Sequence, residues 1–63
     1  MYVKYLDKKI KIVDIDNQIF IGVLEDIQRD YDAEEYTEEL SVLLDNGVLL
    51  GITSNEIKSV KVI

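Results

Sequence analysis

Asp30, Asp32, Glu34 and Glu35 place four carboxylates within six residues, a set of hard oxygen donors of the type that holds calcium or magnesium. The run has neither the interior glycine nor the closing glutamate of a calcium loop, so it reads as a solvated acidic stretch with no metal bound. Paired carboxylates work as general acid and base only where a cleft shifts their pKa values, and an exposed loop provides no cleft. The chain has no histidine and no cysteine, and its serines have no base in view, so nucleophilic catalysis lacks its usual parts. The expectation is a protein that is not an enzyme and uses no cofactor.

Two other groups of residues carry recognition chemistry. Tyr31 and Tyr36 flank the acidic run, where their rings could stack on bases or on a partner's side chains, or could pin the loop by lying on the fold. Lys8, Lys9, Lys11, Lys58 and Lys61 gather in the first and last apolar segments, far in sequence from the acids. Such segregation could form a basic patch for RNA or meet the acidic stretch of another copy. The preferred reading is that the lysines keep edge strands from aggregating.

Thirteen acidic residues against seven basic ones give a net charge of −6, which opposes the phosphate-directed attraction behind most nucleic-acid binding. Nothing resembles a signal peptide, a membrane-length apolar run or a lipidation motif, which points to a soluble cytoplasmic protein. At 63 residues, positions 1–63 form one domain near the lower size limit for unaided folding. Without cysteine or histidine to build disulfides or zinc sites, the remaining common stabiliser is association with other copies.

The elements that position these residues are strands. Ile19 to Ile27 is the longest β-type run, with Phe20, Gly22 and Leu24 on one face and Ile19, Ile21, Val23 and Ile27 on the other. This predicts a central strand covered on both sides, with Gly22 allowing a sharp bend or the close approach of another strand. Lys8 to Asp16 alternates as a strand with Ile10 and Ile12 inward, and the slip at Ile12-Val13 predicts a bulge or two covered faces. Asp16-Asn17-Gln18 reads as a tight hairpin with Asn17 left-handed. Gln28 to Glu39 reads as a solvated loop, because like charges at neighbouring turns oppose a helix. Leu40 to Leu44 and Val48 to Ile52 form strands around the hairpin signal Asn46-Gly47, and Ile57 to Ile63 forms the last strand. Within Met1 to Leu6, Tyr2, Tyr5 and Leu6 share one face of a helical turn, though a short strand using Tyr2, Val3 and Tyr5 fits almost as well. The expected fold is all-β, a strongly bent, five-stranded antiparallel SH3-like barrel.

Leu6-Asp7-Lys8-Lys9-Ile10-Lys11-Ile12, followed by Phe20-Ile21-Gly22-Val23-Leu24 and Ile27, resembles the first motif of the Sm and Sm-like (LSm) family. Leu50-Gly51-Ile52 with Ile57 and Val60 is similar to the closing motif. The resemblance is to a divergent, bacterial-type small member and covers about Tyr5 to Ile63. It implies a ligand or RNA loop at Arg29, Asp30, Tyr31 and Asp32, with Thr53, Ser54 and Asn55 beside it. The family's arginine-glycine pair is absent, and where RNA binders place asparagine this chain has Asp32, whose carboxylate accepts hydrogen bonds but repels phosphate.

The reading is therefore a homo-oligomeric Sm-like module acting as a protein-interaction or assembly platform, with an RNA-chaperone type of RNA binding as the alternative. The resemblance further implies a closed ring of six or seven copies joined through the fourth and fifth strands. Val48, Leu49, Leu50, Ile52, Val60, Val62 and Ile63 are the expected interface, because a lone barrel of this size cannot cover apolar residues on both faces of both strands.

Overall fold

A computed structural model describes residues 2–31 and 35–63. Five strands form one antiparallel sheet: β1 (Lys9–Asp14), β2 (Ile19–Tyr31), β3 (Tyr36–Leu44), β4 (Leu49–Thr53) and β5 (Ile57–Val62), in the order β4-β3-β2-β1-β5. The only helical pieces among the described residues are two 3-10 turns, Val3–Tyr5 and Ser54–Glu56. Neither is long and apolar enough to cross a membrane.

Expectation and structure differ first over closure. The sheet is not a closed barrel, because β4 and β5 are its two edges and do not pair with each other. One side of the sheet carries the core: Ile10 and Ile12 from β1, Leu24 from β2, Leu40 and Val42 from β3, and Ile52 from β4. Phe20, Ile27, Leu44, Leu50, Ile57 and Val60 pack around them.

The second difference follows from this single layer. β2 is not covered on both faces, since Ile19 and Ile21 point away from the core and stand 57% and 36% exposed. Simple alternation predicts Ile27 on the same face as these, yet it packs on the core. The β2–β3 register shifts between Leu24 and Asp26, so Glu25 is an extra residue that reverses the phase of all that follows.

The third difference concerns Gln28 to Glu39, expected as a loop. β2 continues to Tyr31 and β3 begins at Tyr36, with Gln28, Arg29, Asp30 and Tyr31 opposite Glu39, Glu38, Thr37 and Tyr36. Pairing to the other arm of the hairpin offsets like charge that looks prohibitive along the chain, above all at Arg29 and Glu38.

Gly22 serves close approach. A Cβ there would press on the Leu43 carbonyl and lie 2.8 Å from the Leu43 carbonyl carbon and 2.9 Å from the Leu44 Cα. The slip expected near Val13 is present between Val13 and Asp14, but the extra residue is Lys58 on the partner strand β5.

The two short hairpins share one turn. Asn17 and Gly47 donate their N–H groups to the carbonyls of Asp14 and Leu44, and the N–H groups of Asp14 and Leu44 donate to Gln18 and Val48. The third loop residue is left-handed in both, Asn17 at φ 63° and Gly47 at φ 88°. Buried Asp14 adds a carboxylate oxygen that accepts the N–H groups of Asp16 at 2.9 Å and Gln18 at 2.8 Å.

At the N-terminus the 3-10 turn lays Tyr2, Tyr5 and Leu6 on the core. Asp7 N–H to the Leu24 carbonyl and Leu24 N–H to the Lys8 carbonyl then tie this segment to β2.

Candidate functional site

Two places gather the residues singled out by the sequence: the far end of the β2–β3 hairpin, and the free edges of the sheet. At the first, Arg29 and Glu38 stand opposite each other, with the Arg29 Nε 3.7 Å from the Glu38 Oε2. Glu38 is 1% exposed, whereas the Arg29 side chain is half open to solvent. The Glu38 N–H donates to the Ser54 Oγ at 3.0 Å, which joins this hairpin to the turn after β4. Glu38 thus links Arg29 to Ser54, the two stretches that the resemblance brings together.

Tyrosines surround this carboxylate. Burial raises the pKa of Tyr2 above 10.0, and the charge of Glu38 and then Tyr5 raise it further. Tyr36 is also raised, first by desolvation and then by the charge of Glu38 and a hydrogen bond with it, while Arg29 pulls the other way. Tyr31 and Tyr36 pair ring to ring at the end of the strands, with centroids 5.1 Å apart and planes tilted by 42°. The rings therefore lean on each other and stay largely exposed.

The other expected site residues divide. Asp30 is exposed and faces Thr37, and the Thr53 hydroxyl donates to the Asn55 Oδ1 at 2.7 Å within its own turn. Asp32 lies outside the described residues, as does Glu34 of the acidic set. Among the described residues no group of three or more acidic, histidine or cysteine side chains is arranged to hold a metal ion. Glu38 is the residue that sequence reading passed over. Its signal was its place in the Tyr36, Glu38, Leu40, Val42 series, a period of two that continues the core side of β3.

At the edges, Leu49 on β4 is 60% exposed and Val62 on β5 is 45% exposed, with Val48 and Ile63 open beside them. Leu50, Ile52 and Val60 turn toward the chain's own core, so in an edge contact they would offer mainly backbone. Among the described residues no backbone hydrogen bond joins the two edges.

The lysines lie near β5. Lys11 and Lys61 are direct cross-strand partners. Lys9 reaches Asp45 at 3.3 Å and Lys58 donates to the Asn17 Oδ1 at 2.9 Å. A shallow groove of about 440 Å3 opens beside Ile19, Phe20, Ile21, Leu44, Asp45 and Asn46. Compared with family models, curated proteins and solved structures, the chain matches none.

Proposed function

We propose that this chain is a non-enzymatic Sm-like module of the cytoplasm that self-associates through its sheet edges and serves as a protein-interaction or assembly platform. The observation that carries the reading is the open sheet, whose two edge strands both end in exposed apolar residues, Val48 and Leu49 at β4 and Val62 and Ile63 at β5. Free edges of this kind satisfy their backbone groups by pairing with another chain, and two different edges on one copy join copies head to tail. The strand order, with a 3-10 turn leading into the last strand, supports an SH3-like or Sm-like relationship, and a closed ring of six or seven copies is the form that relationship implies.

Sedimentation velocity at micromolar concentration tests the proposal. A defined oligomer is expected, reduced in size or affinity by Val62→Lys, which sets a charge on the β5 edge. A wild-type chain that sediments as a stable monomer overturns it.

RNA binding is the second reading, and the face-to-face lysines Lys11 and Lys61 are the observation in its favour. The net charge of −6 weighs against it. Fluorescence anisotropy with uridine-rich and adenine-rich oligonucleotides over a salt series decides: micromolar binding with a clear salt slope would make this the primary function.

A further inference from the structure

Lys11 and Lys61 face each other on neighbouring strands, and among the described residues neither meets a carboxylate, although Lys9 and Lys58 both have partners. Like charges directly across a ladder destabilise the pair that holds them. A chain with thirteen acidic residues that leaves this pair unneutralised has an anion to gain from outside itself.

The opposite edge presents such an anion. Glu39 on β3 is exposed and lies between Gln28 and Thr53, neither of which is cationic. Its carboxyl group leans across β4 onto Gly51, with Cδ 3.9 Å and Oε1 4.0 Å from the place a Gly51 Cβ would occupy. Gly51 has no side chain, so at this position β4 puts only backbone between that carboxylate and the free edge. Leu50 and Ile52 pack on the core, which turns Gly51 to the outer face, and Val60 does the same for Lys61 on β5.

We propose that, where β4 of one copy pairs with β5 of a second copy, Glu39 of the first forms an ion pair with Lys61 of the second, with Lys11 behind it, and that this contact sets the register of the edges. The inference rests on the self-association reading above. Paired strands run roughly 4.8 Å apart, so a lysine side chain one strand beyond Gly51 reaches a carboxylate lying over it. Of the outward positions on β4, Leu49, Gly51 and Thr53, Gly51 has this carboxylate beside it and carries no side chain of its own. A slip by one residue would turn Lys61 against an apolar side chain and Val62 to the outer face. On the inner side of the same contact, the exposed Val62 meets the rim of the core beside Leu50.

Charge reversal tests it on the full chain. Glu39→Lys and Lys61→Glu should each weaken assembly about tenfold at low salt, and the double reversal should restore most of the loss. Raising the ionic strength toward 1 M should narrow the gap between wild type and single variants, because an exposed pair is screened. Circular dichroism confirms that each variant is folded, and the neutral variants Glu39→Gln and Lys61→Gln, expected to weaken assembly less, replace any that is not.

Assembly unchanged in the single variants, or weakened without rescue in the double, overturns the ion pair and leaves edge pairing standing. A monomeric wild type removes edge pairing itself. Oligonucleotide binding abolished by Lys61→Glu with assembly intact would assign the lysines to a polyanion and also overturn the pair.

Discussion

Arg29 and Glu38 hold each other across the β2–β3 hairpin at 3.7 Å, one side chain half in water and the other enclosed. The enclosed carboxylate is the sensitive partner, because an ion removed from water depends on the charge opposite it. Arg29→Ala should lower unfolding free energy by about 2 kcal/mol, below the roughly 3–5 kcal/mol lost when a fully enclosed pair is broken. Urea denaturation of Arg29→Ala, Glu38→Gln and the double variant checks this, with the double expected to lose less than the sum of the two.

Gly22 should tolerate no side chain. Gly22→Val is expected to cost about 3 kcal/mol or to prevent folding, because the obstruction is the Leu43 and Leu44 backbone. Gly51→Ala is the control: its Cβ would meet only the Glu39 side chain at ordinary contact distance, and its melting temperature should stay close to wild type.

The left-handed residue of the first hairpin separates steric from side-chain effects. Asn17→Gly should be nearly neutral, whereas Asn17→Val should cost about 1–3 kcal/mol, since a β-branched residue resists positive φ. Thermal unfolding of the two variants side by side makes the comparison.

Alkaline pH should act through the tyrosines near Glu38. Tyr2 and Tyr36 are both raised in the folded chain above the ordinary 10.0, so the folded state holds their protons longer than the unfolded state does. Their stabilising effect is therefore complete below pH 10 and lost as pH rises through the folded values. Tyrosinate absorbance in Glu38→Gln should show Tyr36 ionising at lower pH than in wild type, because a charge that opposes its ionisation has gone.

Much of the strand pattern was legible in the residues. Ile10 and Ile12, the left-handed Asn17, the Asn46-Gly47 hairpin and the special role of Gly22 all follow from local alternation and turn chemistry. The hairpin arm from Gln28 to Glu39 was not, because its charges are offset by residues that are distant in sequence, as Arg29 is by Glu38. Ile27 departs from alternation for a related reason: a bulge at Glu25 is a property of two strands in register, and alternation along one strand cannot show it. The partners of Glu38 were hidden likewise, since Ser54 and Tyr2 reach it only once the sheet has formed.

If copies join β4 to β5 as proposed, the chain is, in polymer terms, a bifunctional monomer: each unit added consumes one end and exposes another of the same kind. Growth stops only when the last free β4 meets the first free β5, and the curvature between successive copies decides whether that meeting occurs. A copy with one edge disabled acts as a chain stopper. A small fraction of Val62→Lys mixed into wild-type protein would thus truncate an open filament out of proportion to its amount, whereas closed rings that do not exchange subunits would be indifferent to it.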